Sequence, residues 1–166
     1  MNKDESKALR EVVQVRVRGY RGLGFGARLI RWFTFGDFSH VSFEFRFARG
    51  KPLEVESIQG AGVRVREPRP ECDVSRVVPI SRDQANALWQ MMVVMARRDL
   101  KYDWTGIWGF IRRAKRQNPH KWFCSELIAW ALAKVLYPIS RREPYRETPS
   151  TVMESLRLVA DKDIQR

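Results

Sequence analysis

Residues 39–47 alternate without a break. Val41, Phe43, Phe45 and Phe47 occupy odd positions, and His40, Ser42, Glu44 and Arg46 occupy even ones. Successive side chains of a strand point to opposite faces, so this run is satisfied only as a strand with one apolar face to bury and one polar face. A helix would scatter the same four apolar residues around its circumference. Whatever this chain folds into must offer a core to the phenylalanines and a separate environment to His40.

Shorter runs of the same period surround it. Val12–Arg18 reads as a first strand. Pro52–Ser57 follows the turn at Arg49-Gly50-Lys51, and Val63–Arg66 follows the turn at Gly60-Ala61-Gly62. Val77–Ile80 comes after the Pro68-Arg69-Pro70 loop. The glycines of Gly19-Tyr20-Arg21-Gly22-Leu23-Gly24-Phe25-Gly26 are not followed by Lys-Ser/Thr, so this segment reads as a flexible loop rather than a phosphate cradle.

Helical spacing marks Ala27–Phe33, with Leu29, Ile30 and Phe33 on one face. Ser81 and Gln84 form a capping box that starts a helix running to about Arg98, and the Met91, Met92 and Met95 cluster on it reads as core. Leu100–Trp104 is expected to lead into a further helix to about Lys115, with another from Ser125 to about Leu136 and a last one from Thr151 to about Leu158. Strands followed by helices, with no repeat and no linker, predict an α+β fold. It is a small antiparallel sheet packed by helices, as one domain over residues 1–166, with 1–10 a flexible N-terminal arm.

At 166 residues the chain is long enough for a real core. It has no long uncharged apolar stretch, and its charged N-terminus does not resemble a secretory signal, so a cytoplasmic location is expected. Two cysteines, Cys72 and Cys124, do not make a disulfide framework. The net charge of +12 is uneven: residues 97–146 hold twelve Lys or Arg against four Asp or Glu. Such a bias suits an anionic surface, a membrane or an acidic polymer, while no specific nucleic-acid motif is present.

Cys124 stands where the irregular stretch Lys121-Trp122-Phe123 becomes an apolar helix. The unpaired N–H groups and partial positive charge of a helix N-terminus favour a thiolate there, and they favour a developing oxyanion beside it. His40, at the start of its strand, is the candidate base. A base needs a third group to set its tautomer. Glu54 and Glu56 on the next strand share a face, and spacing does not choose between them. His120 lies four residues before Cys124, but a structural zinc site needs about four clustered ligands, and Cys72 has no nearby partner. The expected site uses no metal and no cofactor.

In their order along the chain these residues resemble a family. Phe38-Ser39-His40-Val41, Val55-Glu56-Ser57, Gly62-Val63, Tyr102-Asp103 and Phe123-Cys124-Ser125-Glu126-Leu127 are similar to motifs of the circularly permuted branch of the NlpC/P60 papain-like superfamily, of the YiiX/YaeF type. The upstream Leu29–Thr34 and the late Thr148-Pro149-Ser150 fall where that family has similar segments, so the likeness spans roughly residues 12–158. Two features depart from it: Ser42-Phe43-Glu44 stands where relatives often carry a Gly-Ile type pair, and no secretion signal is expected from the charged stretch Met1–Lys7.

The resemblance implies a permuted papain-like fold with Cys124 as nucleophile, His40 as base and Glu56 as the third member. Ser39 and Ser125 flank these motifs as expected substrate contacts, and Tyr102 either lines the site or packs in the core. The activity implied is a cysteine hydrolase, an amidase, peptidase or esterase, acting through an acyl-enzyme on a small-molecule, peptide or lipid acyl substrate. Two alternatives stand beside it. One is a lipid acyltransferase of the same superfamily. The other is a non-catalytic basic module that binds anionic lipid or nucleic acid through the basic segment and its interleaved Trp104, Trp108, Phe110 and Trp122.

Overall fold

A computed structural model describes residues 11–58, 61–98, 101–102 and 121–163, with backbone only at 101–102, 121 and 159–163. The expected arm at 1–10, Gly60 of the second turn, Asp103, Trp104 and the helix expected after it with Trp108 and Phe110, and His120 lie outside the described residues.

The fold is α+β. Strands β1 (Val12–Tyr20), β2 (His40–Phe47), β3 (Leu53–Ile58), β4 (Gly62–Arg66) and β5 (Val74–Val78) form one antiparallel sheet in the order β4-β3-β2-β1-β5. Helix α1 (Phe25–Thr34) connects β1 to β2, and α2 (Arg82–Arg97) follows β5. Two residues of β6 (Lys101–Tyr102) pair in parallel with two of β7 (Lys121–Trp122), and α3 (Cys124–Lys134) begins directly afterwards. A single 3-10 turn, Pro144–Arg146, precedes α4 (Pro149–Asp163).

The alternation in β2 divides the molecule. Val41, Phe43 and Phe45 are fully buried, alongside Val15 and Val17 of β1 and Val55 of β3. Helix α2 reaches from β1 to β4, α3 lies on β2 and β3, and α4 lies on β5 and β1. Leu88, Trp89 and Met92 of α2, Leu127 and Ile128 of α3 and Val152, Met153 and Leu156 of α4 complete this core. The Trp89 ring lies 5.1 Å from that of Phe45 and 5.0 Å from that of Phe47. Met92 and Met95 are buried in it.

Two sequence expectations are displaced. The glycine-rich stretch is not all loop: Gly19 and Tyr20 continue β1, where a Cβ on Gly19 would meet the Phe38 ring at 3.0 Å. The fifth strand runs Val74–Val78 rather than Val77–Ile80. Pro79, which has no N–H to donate, ends it, and the pairings Val15 to Val78 and Gly19 to Val74 recruit Ser75 and Arg76 despite their polarity. The capping box is present as expected: Gln84 N–H donates to Ser81 Oγ at 3.2 Å, and Ser81 N–H donates to the Gln84 side chain at 2.9 Å.

The polar face is also buried, and the connection after β4 is the reason. β4 and β5 occupy opposite edges of the sheet, so the chain between them must cross about 19 Å, four strand spacings of about 4.8 Å. Residues 67–73 reach that far only when nearly extended, a state that Pro68 and Pro70 favour. The strap runs across the polar face. Arg69 N–H donates to Glu54 Oε2 at 3.0 Å, and Arg18 Nη2 donates to the Arg69 carbonyl at 2.8 Å. The Arg69 guanidinium stacks 4.7 Å from the centre of the Tyr20 ring.

Truncating Phe45 to alanine removes a ring in contact with Trp89 and should lower unfolding free energy by about 3–5 kcal/mol, whereas Ser81→Ala should cost about 1 kcal/mol. Urea denaturation of the two variants checks both values.

Candidate active site

The N-terminus of α3 is held from three sides. Phe123 precedes the helix in an extended conformation, and its N–H donates to Glu126 Oε2 at 3.4 Å. Ser57, one residue beyond Glu56, donates its hydroxyl to the Trp122 carbonyl at 2.6 Å, which ties β7 to β3. Ser125 donates its hydroxyl to the Glu147 carbonyl, while Leu127 and Ile128 anchor the next turn in the core. These contacts place Cys124 as the first residue of the helix, where helix geometry leaves the N–H groups of the first turn without intrahelical acceptors.

His40 is the first residue of β2 and pairs with Tyr20 at the end of β1, their rings 5.7 Å apart. Ser39 fixes this strand end. Its N–H donates to the Tyr20 carbonyl at 2.9 Å, and its hydroxyl donates to the Arg21 carbonyl at 2.8 Å. His40 Nε2 lies 2.8 Å from Glu56 Oε2. The Cys124 side chain lies close enough to the His40 ring to act on its charge. With Nε2 held by the carboxylate, Nδ1 is the nitrogen left to exchange a proton with the sulfur. Cys124 is 1% exposed, and the His40 side chain is 15% exposed.

The two glutamates that sequence spacing left equivalent have different partners. Glu54 accepts from the Tyr20 hydroxyl at 2.8 Å, the Ser42 hydroxyl at 2.6 Å and the Arg69 N–H. Burial, and then the bond to Glu54, push the Tyr20 phenol upward. Glu56 is the one that meets His40. It also accepts from Arg64 Nε at 3.0 Å and Nη2 at 2.8 Å, has Arg66 Nη1 at 3.7 Å and pairs with Arg69. The register of β3 on β4 puts Glu56 opposite Arg64 and Glu54 opposite Arg66.

These arginines are the part of the site that sequence reasoning missed. The signal for two of them was present: Val63-Arg64-Val65-Arg66 alternates and puts both arginines on one face. Arg69 left no such signal, because it arrives through the crossing of the strap. Electrostatics follow from the geometry. Burial disfavours a charged His40, but the neighbouring Cys124 side chain and the Glu56 carboxylate outweigh it and carry the ring from 6.5 up to about 9. Burial likewise disfavours a charged Glu56, yet His40, Arg64 and Arg69 bring it from 4.5 down to about 2.

The structure therefore brings together Cys124, His40 and Glu56 from three elements distant in sequence. The hydroxyls of Ser39 and Ser125 donate to backbone carbonyls, and in doing so these two buried residues brace the site. Tyr102 pairs with Trp122 through its backbone, two residues before Cys124. Among the described residues no group of three or more His, Cys, Asp or Glu is arranged to hold a metal ion, and both cysteines are free thiols. A cavity of about 570 Å³ lies beside Phe38, Glu147 and Ser150, and neither Cys124 nor His40 lines it. Compared with known proteins, the sequence matches no family model and no curated protein.

The two ionisations set a window of stability. The His40 contribution is complete below pH 6.5 and is lost as pH rises through about 9, because its folded value lies above its unfolded one. The Glu56 contribution is complete above pH 4.5 and is lost as pH falls towards about 2. Urea midpoints measured across pH should peak between these limits, and His40→Asn should flatten the alkaline limb.

Proposed function

We propose that this chain is a cysteine hydrolase built on a permuted papain-like fold of the NlpC/P60 type, with Cys124 as nucleophile, His40 as general base and acid, and Glu56 as the group that orients His40. The single observation that carries the reading is that one imidazole, hydrogen-bonded to a buried carboxylate, lies beside a thiol at a helix N-terminus. A core cysteine that only fills space has no need of such a partner.

The chemistry follows from the arrangement. His40 takes the Cys124 proton as general base. The sulfur adds to the carbonyl carbon of an amide or ester. First-turn N–H groups of α3 receive the oxyanion. His40 returns the proton to the departing nitrogen or oxygen, leaving a thioester. Water then adds with His40 as base, the C–S bond breaks, and the thiol is restored with release of the acid. Glu56 keeps its charge throughout and holds Nε2–H.

Burial and activation make opposite predictions for the two thiols. Cys72 is half-buried, whereas Cys124 is almost wholly enclosed. If exposure alone governed reactivity, a small electrophile such as iodoacetamide would modify Cys72 first. The proposal expects Cys124 to react first near neutral pH, and His40→Ala to slow that reaction by about tenfold or more while Cys72 is unaffected. Peptide mass spectrometry over a time course measures both rates. Faster modification of Cys72 in the wild type, or an unchanged Cys124 rate in His40→Ala, would falsify it. Against a substrate once one is found, His40→Ala should lose about 10²–10⁴-fold in turnover.

A further inference from the structure

The segment between β1 and β2 exposes more apolar surface than its position explains. Leu23 is 85% exposed, Phe25 82%, Trp32 68% and Phe35 94%. Four large exposed apolar side chains in thirteen consecutive residues are a concentration beyond the isolated exposed residues normal for a protein surface. Helix α1 explains how it arises. At 3.6 residues per turn, Trp32, Phe25, Leu29, Phe33 and Ile30 make one broad apolar arc. The core takes only one edge of that arc, through Ile30 and Phe33, and leaves Phe25 and Trp32 on the other edge facing outward.

Phe35 adds a second observation. It caps α1 with φ 49° and ψ 41°, in the left-handed region that suits glycine rather than a side chain, and it is the most exposed of the four. Neither the backbone nor the core gains from a phenylalanine there. The charge beside the patch is one-sided. Residues 21–37 contain Arg21, Arg28 and Arg31 against the single acid Asp37. On the helix, Arg28 and Arg31 follow the exposed edge of the apolar arc.

We propose that this segment is a membrane-docking surface: Leu23, Phe25, Trp32 and Phe35 enter the apolar margin of an anionic bilayer, while Arg21, Arg28 and Arg31 meet its phosphate headgroups. An apolar face bordered by arginine is the chemistry of a helix that lies in the plane of an interface. Charge argues for a bilayer over a second copy of the chain. Two copies would bring six arginines together between bodies that each carry +12, whereas an anionic leaflet neutralises them. Tyr20 and His40, which end β1 and begin β2 on either side of the segment, pair with each other, so docking would bring His40 close to the headgroups. The inference does not rest on Cys124 being a nucleophile.

Flotation of the full chain with vesicles tests it, using phosphatidylcholine alone and phosphatidylcholine mixed with phosphatidylglycerol in equal parts. The chain should float with the mixed vesicles, not with the neutral ones, and added salt should weaken the association. The triple variant Phe25→Ser, Trp32→Ser, Phe35→Ser should bind at least about tenfold more weakly. Phe35→Gly separates docking from folding. It relieves the left-handed backbone, so it should raise the thermal midpoint while weakening vesicle binding, two effects of opposite sign that a purely structural residue would not give. Failure of the wild type to float, triple-variant binding equal to wild type, or a wild-type dimer that the triple variant dissolves would each overturn the proposal.

Discussion

Three glutamates on one face of the sheet, Glu44, Glu54 and Glu56, are buried, and the rest of the site depends on how their charge is met. A carboxylate enclosed in protein without partners would be protonated or would oppose folding by several kcal/mol. Each one here has its own partners. Glu44 has Arg18 at 3.5 Å and Arg46 at 2.7 Å, Glu54 has two hydroxyls and a backbone N–H, and Glu56 has His40 and three arginines. Removing one partner of a buried pair costs about 3–5 kcal/mol, so the geometry around Glu56 is held more firmly than surface ion pairs hold theirs.

The strap from Glu67 to Asp73 makes this burial possible. A sheet with helices on one face ordinarily turns its other face to water. Here the link between the two edge strands has to cross that face, and it brings Arg69 over both Glu54 and Tyr20. The same crossing places Cys72 beside Arg18. The apolar face is organised independently. Helix α3 packs on β2 within the apolar core, and the start of that helix is tied to β3 by Ser57 and Trp122. Cys124 and the His40–Glu56 pair thus belong to two differently stabilised sides of one sheet, and they meet at the strand end that Ser39 secures.

The basic character of the chain serves more than one end. Arg64, Arg66 and Arg69 face inward to one carboxylate. Arg28 and Arg31 border an exposed apolar helix edge. No helix among the described residues is long and apolar enough to cross a membrane.

Period and local chemistry determined much from the sequence alone. The alternation of Ser39–Phe47 placed His40 opposite the phenylalanines, the Ser81–Gln84 box started α2, and the turn from Phe123 to an apolar run put Cys124 at a helix start, because each of these is a contact between near neighbours. What sequence spacing left open was decided in three dimensions. Glu54 and Glu56 are equivalent on their own strand, and only the pairing of β3 with β2 and the approach of the strap gave Glu56 to His40 and Glu54 to Tyr20 and Ser42. Ser39 and Ser125, which sequence position suggested as ligand contacts, became braces because the nearest acceptors were the carbonyls of Arg21 and Glu147. The fifth strand shifted to Val74–Val78 because an edge strand takes its register from its neighbour rather than from its own hydrophobicity. Local order is written in residue spacing; which buried charge faces which partner depends on strand register and chain crossing, and those exist only in the folded sheet.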